Sequence, residues 1–230
     1  MLEIARANGT GPYGIFHRIG DSSWIVKPEI KKKLEDFIKL CNQAGVTRLK
    51  EWHTTPDEYF EIVNRVFNIS MQSHLALGKK VTPLIPASTK YSGGNQNILT
   101  DGLRGTADWY YMWLGYEGND MEIIIDLKEI KNINKISGEF LQDVGTWIFM
   151  PEYVRYSVSV DGENFQEIGT IINEVPEKEE GVIIRLFEKE TEAVKARYIK
   201  VYAKNIGLCP GWHIGSGGKA WIFVDEIIVD

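Results

Sequence analysis

Apolar and polar residues follow two different periods along this chain, and the change between them falls near residue 79. Before it, Ile30, Leu34, Phe37, Ile38 and Cys41 recur at helical spacing behind Pro28, and Gly45 supplies a stop. A second helix is predicted from the capping pattern Thr55-Pro56-Asp57-Glu58. Tyr59, Ile62, Val63, Val66 and Phe67 then form one apolar stripe until Gly78. From Lys79 onward the period is two. Met121, Ile123, Ile125 and Leu127 alternate with Glu122 and Asp126, and Val154, Tyr156, Val158 and Val160 alternate with Arg155, Ser157 and Ser159. Such alternation predicts strands with one face buried. Asp161-Gly162 signals a hairpin, and further strands are predicted at 182–187, 197–203 and 221–229.

Many short strands with turn chemistry between them predict a mainly β fold, an antiparallel jelly-roll β-sandwich over residues 79–230, preceded by a small helical segment over residues 1–78. The boundary is placed between Gly78 and Pro86, because Pro83 and Pro86 forbid continuation of the helix.

Composition narrows the function. A chain of 230 residues with 43% hydrophobic and 25% charged residues can bury a substantial core in one or two domains. Its net charge of -6 offers no cationic surplus to displace counterions from phosphates, which argues against a nucleic-acid or anionic-membrane partner. No run approaches the roughly 18 apolar residues of a membrane span, and MLEIARANGTG lacks a cationic start followed by an apolar stretch. If the protein is exported, its signal lies outside these residues. Cys41 and Cys209 show neither a disulfide framework nor metal spacing, so redox logic leaves the compartment open.

The stretch ILTDGLRGTADW, residues 98–109, carries candidate metal chemistry. An Asp-Gly turn directs carbonyl oxygens inward, and Asp101 with Thr106 adds two side-chain oxygens. Calcium, which takes six to eight oxygens and accepts carbonyls readily, suits such a loop better than magnesium. A further carboxylate is needed, and the last strand offers Asp225 and Glu226. The alternative is that Asp101 makes only an Asx-turn while Glu226 faces water.

Five segments in order, LTDGLRGTADW, IIIDL, YSVSVDGENF, ARYIKVYAKN and VDEIIV, resemble discoidin domains, also called F5/8 type C or galactose-binding-like domains, over residues 79–230. FLQDVGTWIFMPEYVRYSVSVDG and KNIGLCPGWHIGSGGKAWIFVDEIIV are similar to the C-terminal modules of bacterial chitobiases and β-N-acetylhexosaminidases of glycoside hydrolase family 20. The resemblance implies a structural calcium held by Asp101, Thr106, the carbonyls of Leu103 and Gly105, and Glu226. Where many relatives carry a second acidic or amide residue in this loop, this chain has Leu103 and Arg104. It also implies a non-catalytic carbohydrate-binding module that targets a glycoside hydrolase to glycans, in an exported protein of the periplasm or cell surface.

A sugar needs an aromatic platform beside planar hydrogen-bonding groups. Trp212 and His213 in CPGWHIGSGG are the first candidates, and Arg104 and Tyr110 the second. The resemblance implies that Trp109 is a core plug, while Trp147 and Trp221, which lead into apolar strands, read as packing residues. No GxSxG, HExxH or P-loop motif occurs; GSGGK at 215–219 precedes a strand instead of opening a helix. The chain is therefore expected to have no activity of its own. Two other readings remain open: an active hydrolase fragment using His17 or His53, and an interaction module docking onto another protein domain.

Overall fold

The structure is a computed structural model, and it describes residues 74–91, 96–102, 104, 105, 107, 109 and 113–230. Seven strands are named: β1 (Lys80–Ile85), β2 (Leu114–Glu117), β3 (Met121–Asp143), β4 (Tyr153–Ser159), β5 (Gln166–Ile172), β6 (Val182–Ala203) and β7 (Trp221–Val229). Two 3-10 turns, Gln96–Thr100 and Val144–Thr146, are the remaining named elements among the described residues.

The sandwich is built on one long antiparallel pair. β3 and β6 stay hydrogen-bonded from Met121↔Ala203 to Asp143↔Val182, with register shifts between Asp126 and Lys131 and between Ile133 and Lys135. Lys128, at φ 75, lies in the first shift. A bend there divides each long strand between two layers. On one side of it β3 takes β1 at its free edge while β6 passes to β4 and β5; on the other side β3 takes β7 and then β2. Between the layers lie Ile123, Ile125, Val154, Tyr156, Ile199 and Val201 from the first, against Ile136, Phe140, Ile222, Val224 and Val229 from the second.

Asp126 fixes the bend. It accepts Nε–H and Nη2–H of Arg197 at 2.9 and 3.1 Å and the Lys128 N–H at 2.8 Å. The Arg197 guanidinium holds the Asp126 carboxyl well below the usual carboxylate range. The predicted Asp161-Gly162 hairpin is present: Gly162 has φ 82, and Asp161 Oδ1 accepts the N–H groups of Glu163 and Asn164, both at 2.9 Å, where β4 turns into β5.

The N-terminal boundary differs from the sequence expectation. Residues 1–73, where both helices were expected, lie outside the described residues, and Leu75 to Gly78 form a turn, so nothing described supports the helical segment. His74 to Gly78 belong to the sandwich: Leu75 N–H donates to Val229 O at 2.7 Å, Gly78 N–H to Thr100 O at 2.6 Å, and Ala76 is fully buried. Pro83 sits inside β1, paired with Ile123. Proline stops a helix, but an edge strand accommodates it where no ladder donor is required.

Candidate functional site

Two clusters of chemically notable side chains arise, and each depends on irregular backbone. The first is a β-bulge. Gly138 pairs with Ile227 and Phe140 with Val224, so Asp225 and Glu226 on β7 together oppose Glu139 on β3. All three acids are buried, at 2% exposure or less. The bulge brings the Glu226 carboxylate to the 98–109 loop, where Oε2 accepts the Gly102 N–H at 3.1 Å and Oε1 faces His74 Nε2 at 3.0 Å. Burial pushes the His74 imidazole down to about 4, so at neutral pH its Nε2–H donates to the carboxylate. Arg104, from the same loop, pairs through Nε and Nη2 with Glu139.

Gly102 and Gly105 shape this loop for different reasons. Gly102 has φ 75, the left-handed region that a side chain disfavours. Gly105 packs on the Trp113 indole: a Cβ there would stand 2.4 Å from Trp113 Cε2. Trp113 is fully buried, and Trp109 packs with Tyr91 against Trp221 and Phe223, so Trp109 and Trp221 are packing residues, as read from the sequence. Leu103, Thr106 and Tyr110 lie outside the described residues. Among the described residues, no three His, Cys, Asp or Glu side chains gather in a metal-binding arrangement. A cation at this loop would therefore rely on Asp101, Glu226 and loop carbonyl or hydroxyl oxygens. The donor set fits calcium in this respect, since its hard oxygens come from two chain segments that the Gly102–Glu226 bond already joins.

The second cluster gathers where the loops after β3, β5 and β6 meet. Trp147, at φ 70, ends the 3-10 turn with its N–H on Val144 O at 3.0 Å. Its indole lies on Gly215 and Gly218, where a Cβ would approach ring atoms to 2.4 and 2.6 Å. The glycines of GSGG thus make a bed for an indole. Trp147 nevertheless keeps 37% exposure, more than a packing residue alone would show.

His213 is 6% exposed, and both its ring nitrogens are engaged: Nδ1 accepts the Gly215 N–H at 2.9 Å, which leaves Nε2–H to donate to Val144 O at 2.7 Å. Its imidazole therefore ties the 205–219 loop to the turn after β3 and presents no free polar edge. Trp212 is 41% exposed, its ring 5.7 Å from His213 and 6.3 Å from Phe149, with the Lys178 ammonium 5.3 Å from its centroid. No hydrogen bond, ion pair or ring contact among the described residues joins Arg104 to Trp212 or His213; Arg104 pairs with Glu139 on β3, whereas Trp212 and His213 pack beside Phe149 and Val144.

Beside Trp212 opens a cleft of about 290 Å³ that was not singled out in the sequence. Phe149, Met150, Val175 and Ile206 give its apolar lining, and Gln142, Glu152, Asn173 and Glu177 its polar one. Gln142 spends its amide on the frame, donating to Pro176 O at 3.0 Å and accepting the Met150 N–H at 3.3 Å. Asn173 forms an Asx-type turn with Val175, its Oδ1 accepting at 2.9 Å and its Nδ2 donating at 3.0 Å. The signal for the cleft was the acidic run EVPEKEE at 174–180, which by itself reads as a solvated loop.

Comparison with known proteins gives one family and several distant structures. A chitosan-binding module from the chitosanase/glucanase of Paenibacillus sp. IK-5 is 15% identical, with 69% of this chain and 99% of that one covered, at TM-score 0.43. A Clostridium perfringens CBM32 module in complex with GalNAc-β-1,3-galactose is 19% identical, covering 68% and 99%, at TM-score 0.43. The C-terminal domain of a Bacteroides fragilis chitobiase is 22% identical, covering 67% and 95%, at TM-score 0.41. At these scores the likenesses add nothing to the strand ladder as an account of the fold. No curated protein matches the chain. The F5/8 type C domain model matches residues 85–225, from the end of β1 to the bulge in β7 and so over more than half of the chain, which makes this protein a member of the F5/8 type C domain family.

Proposed function

We propose that the chain is a non-catalytic carbohydrate-binding module whose sugar site is the loop surface around Trp212, and that it holds a glycoside hydrolase of chitobiase or β-N-acetylhexosaminidase type on glycans outside the cell. The observation that carries this reading is an indole left 41% exposed on a loop that His213 and two glycines hold in place, next to a cleft. The part of an indole left in solvent adds little stability to the loop, but it presents a flat apolar face to the C–H face of a sugar. Two of the structures above are named with different glycans and the third with none, so no sugar is carried over from them. The test is a panel of immobilised glycans probed with the native chain and with Trp212→Ala. Capture of at least one glycan by the native chain and its loss in a folded variant supports the reading; equal capture by both removes Trp212 from it.

A second reading, docking onto another protein domain, is favoured by Ile214 and Leu208, which are 95% and 58% exposed close to Trp212 in sequence. Ile214→Asp would weaken such docking and leave sugar capture unchanged.

At the bulge, we propose a structural calcium held by Asp101, Thr106, Glu226 and the carbonyls of Leu103 and Gly105. What supports it is the buried Glu226 carboxylate drawn to the loop that carries Asp101. When bound, the cation would supply charge balance and a tie between two distant segments. Arg104, committed to Glu139, supplies part of that balance from within the chain.

A further inference from the structure

The cleft beside Trp212 has a polarity that narrows its ligand. Its two amides are engaged in holding the 173–180 loop against the segment after β3. The polar groups left to a ligand are the carboxylates of Glu152 and Glu177, both on exposed residues, and neither makes an ion pair or a side-chain hydrogen bond among the described residues. The backbone of Glu152 is fixed, its N–H on Lys204 O at 2.8 Å and its carbonyl accepting the Asn173 N–H at 2.9 Å, so this acid is held at the cleft by main-chain bonds. Among the described residues, no Lys, Arg or His lines the cleft. The nearby cations are committed: Lys204 Nζ donates to Asp120 at 3.2 Å, and Lys178 lies over Trp212. An ionised carboxylate only accepts hydrogen bonds, and it accepts most strongly from a charged donor.

We infer that this cleft takes a sugar unit bearing a protonated amine, as in de-N-acetylated hexosamine polymers, with Glu152 and Glu177 receiving the ammonium while the half-buried Val175 and Ile206 receive the ring. The inference rests on the carbohydrate-binding reading above and narrows its ligand class. A volume of about 290 Å³ is at the low end for ligand clefts, enough for one sugar unit but not for a chain lying flat. An acidic sugar would place like charge against the two carboxylates. An N-acetylated sugar would offer a neutral amide where a cation is favoured.

The test is calorimetric titration of the native chain with glucosamine trimer, N-acetylglucosamine trimer, galacturonic acid trimer and trilysine, repeated on Glu152→Gln/Glu177→Gln. A control variant, Glu179→Gln/Glu180→Gln, removes the same charge from neighbouring exposed positions that do not line the cleft. The inference predicts that glucosamine trimer binds at least about tenfold tighter than its acetylated form, and that the cleft variant loses about tenfold while the control keeps its affinity. Equal binding of both hexosamine trimers overturns the amine assignment and leaves the carbohydrate-binding reading intact. Equal losses in the two variants, or trilysine binding as tightly as the glucosamine trimer, show attraction to a net-negative chain and also overturn it. Binding of no glycan by a folded native chain overturns this inference and the parent reading together.

Discussion

Asn205 shows how single side chains hold the candidate surface in place. It is 2% exposed, and its Nδ2 donates to the carbonyls of Tyr116, Asn119 and Ala220 at 3.1 to 3.3 Å while Oδ1 accepts the Gly207 N–H at 2.8 Å. One amide thereby joins the β2–β3 connection to both ends of the loop that carries Trp212. Asn205→Ala leaves buried carbonyls and a donor without partners, and should lower stability by about 2 kcal/mol, measured by urea unfolding. Gly215→Ala tests the indole bed directly: the new methyl meets Trp147, so the ring must leave, and the emission of the exposed tryptophans should shift to the red. An unchanged spectrum and melting temperature would contradict this packing. The residue types at this surface were legible in the sequence, but their duties were not. Trp212 and His213 are adjacent and looked alike as candidates, yet one indole faces solvent while the imidazole is consumed by Val144 and Gly215. That division depends on which side of the loop each residue faces, and a glycine-rich segment carries no periodicity from which to read it.

Among the elements, the sequence pattern located parts of four of the seven named strands. It found the first residues of β3, all but one of those of β4, both ends of β6, and all of β7. It gave no strand at β1 or β2, and it missed the continuity of β3 and β6, which run for 23 and 22 residues through a bend. The pattern breaks at the register shift near Lys128, so the bend hid the longest strands. The bulge at Asp225 and Glu226 has the same origin: two acids in a strand buried at every position look like a pattern error until Glu139 is set opposite them. The Asp126–Arg197 pair at the bend gives a pH prediction. The Asp126 carboxyl has a depressed folded-state pKa, so the stability it contributes is complete above its unfolded value of about 3.9 and is lost as pH falls below it. Asp126→Asn should cost about 1 kcal/mol at pH 7, between the worth of exposed and buried pairs, and the gap between the native chain and the variant should narrow steadily in thermal unfolding as pH falls below about 3.9. A constant gap across that range would mean that the pair acts through packing and not through charge.

For the whole molecule, the proposed calcium and the proposed sugar site make separable claims. A cation joining the 98–109 loop to Glu226 closes the sandwich between segments 124 residues apart, as the Gly102–Glu226 bond does. At about 100 times its dissociation constant it would add roughly 2.7 kcal/mol and raise the melting temperature by several degrees. Chelation should reverse that gain, calcium should restore it better than magnesium, and Glu226→Gln should abolish the response. Identical melting of metal-free and calcium-saturated protein would leave the bulge to Arg104 and His74 alone. The fold family was legible because its five segments keep their order. The sugar surface was legible only in part, because a cleft made by three loops remote in sequence exists only once β3, β5 and β6 are aligned. Whether this surface binds a glycan can be read from backbone amide chemical-shift mapping during titration with hexosamine trimers. Binding should be weak and saturable, with a dissociation constant on the order of 0.1 to 1 mM. Shifts should be confined to residues 142–152, 173–180 and 206–218, and be lost in Trp212→Ala. Shifts centred elsewhere, or none at any reachable concentration of the trimers, would contradict glycan binding at this surface.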